Sequence, residues 1–177
     1  MKRILVAGIG NIFLGDDGFG VEVVRRLGEV ELPPRVDVVD YGIRGVHLAY
    51  DLLDGRHDLV VLVDALPLDG PAGTLAVIEV DLDDPRWTLG RVEALDEGVP
   101  GAHAMDPETT LRLVATLGAP VHRALVVGCQ PAVMAEGMEL SHPVRQAVAP
   151  AVRMVTEIAQ DEATRLDRLE NGAWSHA

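Results

Sequence analysis

Residues 3–20, RILVAGIGNIFLGDDGFG, constrain the chain more than any other stretch. The apolar run RILVA stops at a glycine-rich turn, and the turn leads into VEVVRRL, where apolar residues recur at helical spacing. A strand that passes through glycines into a helix is the opening unit of a doubly wound α/β sheet. In dinucleotide enzymes such a turn holds a pyrophosphate on its backbone amides. This turn instead carries two adjacent carboxylates, Asp16 and Asp17, which would meet a phosphate with like charge.

The remaining strands follow from continuous apolar runs bounded by turn residues, the pattern of strands buried on both faces. We place strands at 3–7, 36–40, 58–65, 74–80 and 123–129, and helices at 18–28, 45–54, 107–117 and 143–168. Strands three and four are joined only by LPLDGPAG, too short for a crossover helix, so the fourth strand should run antiparallel to the third. With 48% hydrophobic but only 3% aromatic residues, the core has to be built from Val, Leu, Ile and Ala. A valine-rich stripe, Val144, Val148, Val152, Val155 and Ile158, marks the inner face of the last helix. We expect one domain over residues 1–170, a flexible tail at 171–177, and a long loop at 81–106.

Scarcities exclude several chemistries. Lys2 is the only lysine, which removes a P-loop lysine and a Schiff base. Ser141 and Ser175 are the only serines, and neither lies in a GxSxG elbow. Cys129 is the only cysteine, so no internal disulfide forms, and a cysteine ending an apolar strand is expected to be an inert packing group. The net charge of −13 argues against nucleic acid and anionic membrane as partners. The start MKRILVAGIG is broken by glycine too early for a signal peptide, and no apolar run approaches the ~20 residues of a membrane span. A cytoplasmic protein with no membrane insertion is the expectation.

In open α/β sheets, ligands bind beyond the carboxyl ends of the parallel strands, where the strand order reverses. Asp17 follows strand one, Asp40 ends strand two, and Asp64 ends strand three, while the long loop brings His103 just ahead of a helix. Carboxylates and an imidazole gathered at one sheet edge make a cation site. Asp16 reads as a turn or capping residue. The rival reading, a dinucleotide-dependent oxidoreductase, draws on Gly8, Gly10 and the acid Asp40, but Phe13 stands where the third glycine belongs.

GIGNIFLGDDGFGV resembles the signature turn of the hydrogenase maturation endopeptidases. The likeness continues in order through DYGIRG (40–45), VVLVDAL (60–66), GAHAMDP (101–107), VVGCQP (126–131) and ELSHPVRQAV (139–148). The resemblance implies a three-layer α/β/α sandwich around a five-stranded mixed sheet with the fourth strand antiparallel. It implies an enzyme that removes the C-terminal extension from the large-subunit precursor of a nickel–iron hydrogenase after nickel insertion. It also implies that Asp17, Asp64 and His103 contact the nickel, with the metal supplied by the precursor and no organic cofactor. Asp40 is then the candidate to orient the water or the scissile peptide. The chain departs from the family pattern at two points: Asp17 stands where Glu is frequent, and Tyr41-Gly42 replaces a pair of glycines. A noncatalytic nickel-sensing module on the same fold is the alternative within this resemblance.

Overall fold

The computed structural model describes residues 2–84 and 107–173. Five strands form one sheet: β1 (Arg3–Ile9), β2 (Val36–Gly42), β3 (His57–Ala65), β4 (Leu75–Asp81) and β5 (Arg123–Cys129). Their order across the sheet is β2-β1-β3-β5-β4. β1 pairs in parallel with β2 and β3, β3 in parallel with β5, and β4 antiparallel with β5. The chain steps from β1 out to β2 and then back across β1 to β3, so the order reverses between β1 and β3.

Both faces of the sheet are covered, which is why the central strands read as unbroken apolar runs. Along β1, Ile4 and Val6 join one core with Leu59, Val61 and Val63, while Leu5, Ala7 and Ile9 join the other with Val60 and Leu62. Helices α1 (Phe19–Leu27) and α4 (His142–Ala173) close the first face. Helices α2 (Gly45–Asp51) and α3 (Pro107–Thr116) close the second. The expected three layers, and the antiparallel fourth strand, are thus present.

Two helices differ from the sequence expectation. The helix expected over 45–54 is α2 followed by a single 3-10 turn at Leu52–Asp54, ended by Gly55 at φ +69°. The helix expected to end at 168 runs on to Ala173, into the segment read as a tail. Its far end is held from outside: Arg35 pairs with Asp167 and Glu170, and the amide of Lys2 donates to Glu170 at 3.0 Å. The buried line of α4 runs through Val144, Ala147, Val148, Ala151, Val155 and Ala159, while Val152 and Ile158 are only partly buried. Alanines on that line let the helix lie close to the sheet.

Candidate active site

The turn after β1 is shaped by Gly10. Its φ is +124°, and a Cβ built there would lie 1.8 Å from the carbonyl oxygen of Asp17. Only glycine lets the chain fold back so closely on itself. The turn then runs through a 3-10 segment, Gly15–Gly18, into α1. Two more glycines seat α1 on the sheet. A Cβ on Gly8 would meet Val24, and one on Gly20 would lie 2.0 Å from the carbonyl oxygen of Val63.

Gly10 also lies against both Asp17 and Asp64. Its amide donates to the carbonyl of Gly42 on β2 at 3.0 Å. Its Cβ position lies 3.5 Å from Asp64 Oδ1. Asp17 Oδ2 accepts from the amide of the adjoining Asn11 at 2.8 Å, and the Asp17 side chain is half-buried. Asp64 sits one residue from the end of β3, is only 4% exposed, and accepts from the amide of Ala65 at 2.8 Å. Asp17 and Asp64 therefore flank one glycine at the point where the strand order reverses.

Asp40 stands on the third side. β2 slips register against β1 between Gly8 and Ile9, so that Gly8 faces Asp40 and Ile9 faces Gly42. The slip leaves Asp40 exposed and buries Tyr41, whose hydroxyl donates to Asp51 at 2.8 Å. Burial, then the Asp51 carboxylate, raise the Tyr41 pKa well above the ordinary phenol value. Gly42 takes φ +52°, with its Cβ position 3.6 Å from Asp40 Oδ1 and 3.7 Å from the Gly10 carbonyl. Arg44 holds this corner by donating to the carbonyls of Asp40 and Tyr41 at 2.8 and 3.2 Å. His103 lies outside the described residues. Among the described residues, no group of three or more His, Cys, Asp and Glu side chains suited to a metal ion forms.

Asp16 does something different from its neighbour. It is fully buried, and its carboxylate accepts from the amides of Ala132, Val133 and Ser141 and from the Ser141 hydroxyl at 2.6 to 2.9 Å. Burial raises its pKa, but these hydrogen bonds outweigh it and hold the carboxyl below its ordinary value. Asp16 thus ties the first turn to the loop between β5 and α4. Asp16 lies in the turn as the sequence suggests but caps neither the 3-10 segment nor α1 with its side chain, and Ser141 and Arg44 are the site-shaping residues that sequence reasoning missed. Cys129 is buried, and burial pushes its thiol up to about 12, as an inert packing group should be.

The amides of the turn speak against a phosphate. Those of Gly10, Gly15 and Asp16 donate to the carbonyls of Gly42, Gly137 and Val133, and that of Leu14 to Asn11. Those of Asn11 and Phe13 donate to the side chains of Asp17 and Asn11. A pyrophosphate cradle needs such amides unoccupied. The turn instead presents carboxylates, those of Asp17 and Asp64, at the sheet edge, a polarity opposite to the one a phosphate requires.

Known proteins share this fold. The family model described as hydrogenase maturation protease, HycI, matches residues 21–158. A hydrogenase expression/formation protein, HoxM, of Azotobacter vinelandii is 31% identical over 157 residues, covering 88% of this chain and 71% of that protein. A protein of Methanocaldococcus jannaschii named for hydrogenase maturation protease is 42% identical over 80 residues, 45% of this chain and 52% of that one, so the match spans about half of that relative. The crystal structure of a hydrogenase 2 maturation peptidase from Thaumarchaeota archaeon SCGC_AB-539-E09 superposes with a TM-score of 0.66 at 32% identity, over 89% of this chain and 97% of that one. With the family model spanning most of the chain and the fold shared throughout, this chain belongs to the hydrogenase maturation protease family.

Proposed function

We propose that this protein is an endopeptidase that removes the C-terminal extension of a nickel-loaded large-subunit precursor of a nickel–iron hydrogenase. One observation carries the reading: Asp64, buried at the end of β3, and Asp17 flank the same glycine at the reversal of strand order. With His103 they supply two carboxylates and an imidazole, a donor set that nickel(II) accepts. Three protein donors leave coordination positions for the precursor's own ligands, which accommodates nickel arriving as cargo of the substrate, as the family resemblance implies. Binding would then favour a precursor that already carries its metal. Asp40, exposed beside the turn, is our candidate to orient a water or the scissile peptide. That water adds across the peptide C–N bond, giving a carboxylate on the large subunit and a free amine on the released tail. No described helix is long and apolar enough to cross a membrane.

The test mixes the purified protein with nickel-loaded and nickel-free precursor and follows the precursor's intact mass. The nickel-loaded form should lose its extension, and the nickel-free form should not. Asp64→Ala and His103→Ala should abolish the mass change while melting as folded proteins. Normal cleavage by both folded variants would refute the assignment, and binding without any mass change would point to a noncatalytic accessory role.

A further inference from the structure

Side chains that a fold normally buries stand in solvent along one rim of the candidate site. Phe13 is 60% exposed, Met138 70%, Met134 53%, Val133 48% and Ile12 41%. The chain has two phenylalanines, and the other, Phe19, is wholly buried. The exposed set comes from two loops, the turn after β1 and the loop between β5 and α4. These loops are fastened to each other. The Gly137 amide donates to the Phe13 carbonyl at 3.0 Å, and the Gly15 amide donates to the Gly137 carbonyl at 2.8 Å. Leu14 and Gly137 form a bridge, and the Asp16 carboxylate takes its hydrogen bonds from the same second loop. Ile12 and Met138 line one groove.

This is a preorganised apolar surface. Its backbone is fixed before any partner arrives, which lowers the entropic cost of association. Phenylalanine and methionine are enriched at the centres of protein interfaces, and methionine adapts to the shape it meets. The patch is also continuous with the candidate site, because Asn11 donates its amide to Asp17 and accepts from the amide of Phe13. A macromolecule that presents a peptide bond to Asp17 and Asp64 brings its surface over Phe13.

We propose that this rim docks the folded body of the large-subunit precursor, a proposal that rests on the functional reading above. A second copy of this chain is a poor occupant. Each copy carries a net charge of −13, and Glu136 and Glu139 stand exposed in the same loop as the methionines. The complementary partner has an apolar patch edged by Lys and Arg. A preformed surface drawn from two loops suits another preformed surface, whereas an extended tail would have to be ordered upon it.

The test uses the whole protein, nickel-loaded precursor and a synthetic peptide of the extension with its flanking residues. The variants are Phe13→Ser, Met138→Ser, and the triple change Phe13→Ser, Met134→Ser and Met138→Ser, each first shown to melt like the wild type. The triple variant should raise KM for the precursor by about tenfold or more with kcat little changed, and either single change by a few-fold. In sedimentation, the wild type should bind the precursor and the triple variant should not. The peptide should bind both alike. An unchanged KM in the folded variants would overturn the proposal. So would a peptide that discriminates wild type from triple variant, or a wild-type dimer that the changes split without altering KM. If the wild type leaves the precursor uncut yet binds it in a way the triple variant loses, the endopeptidase reading falls and the docking surface stands.

Discussion

Ser141 gives both its backbone amide and its hydroxyl to the carboxylate of Asp16, at 2.6 and 2.9 Å, across 125 positions of chain. With Ala132 and Val133 as further donors, one buried acid closes the loop beside the candidate site. Asp16→Ala should therefore cost roughly 3 kcal/mol or more, since it strands several buried donors. Urea unfolding measures this. The folded pKa of Asp16 lies below its unfolded value, so its contribution is fully present above about pH 4 and is lost as pH falls through the folded pKa. Stability of the wild type should accordingly drop on acidification below about pH 4, and Asp16→Asn should show a lower and flatter profile.

The seat of α1 gives a second expectation. A Cβ on Gly20 would lie 2.0 Å from the Val63 carbonyl oxygen and 2.4 Å from that of Ile9, both backbone atoms that cannot swing aside. Gly20→Ala should cost about 3 kcal/mol or more by forcing the helix off the sheet. Gly118 has φ +70° and nothing within 4 Å of its Cβ position, so Gly118→Ala should cost only about 1 kcal/mol. Thermal melts of the pair separate a packing requirement from a conformational one.

Asp17 stands where the family frequently has Glu, and a carboxylate is the property the proposed chemistry needs. Asp17→Glu should retain removal of the extension, whereas Asp17→Asn should lose several kcal/mol of charge stabilisation, a drop of at least about 10²-fold in rate. The rate of precursor shortening, followed by intact mass, reads both. Equal rates for wild type and Asp17→Asn would remove Asp17 from the site.

Cys129 offers a check on the inert reading. Burial, reinforced by the Asp16 charge, pushes its thiol up to about 12. At pH 8 the native protein should resist iodoacetamide, and in urea it should take one adduct, since Cys129 is the only cysteine. Cys129→Ala should still shorten the precursor at the wild-type rate.

What was legible in the sequence, and what was not, follows from the range of each interaction. β1, β3 and β5 are buried on both faces, so they stand out as unbroken apolar runs, and the short link before β4 dictates its direction. The positions of Asp17, Asp40 and Asp64 at strand ends are legible because strand ends show in the apolar pattern, and strand ends are where such sheets place ligands. The anchoring role of Asp16 was not visible, because its partner Ser141 lies on the far side of the chain and carries no local signal. Arg44 was missed for another reason: it acts on backbone carbonyls at a register slip that no residue pattern announces. The end of α4 was misjudged because Arg35, which holds it, lies 132 positions from Asp167. His103 entered by family likeness and lies outside the described residues.

Those ties at the end of α4 have a consequence of their own. Arg35 with Asp167 and Glu170, Arg165 with Asp58, and Arg3 with Asp37 all join charged groups where the parallel strands begin, opposite the edge that holds Asp64. The opposite edge is fastened by neutral amides turned toward one enclosed acid. Dissolved ions weaken the first kind of bond far more than the second. Rising ionic strength should loosen the base of the molecule while the end that holds Asp64 keeps its shape.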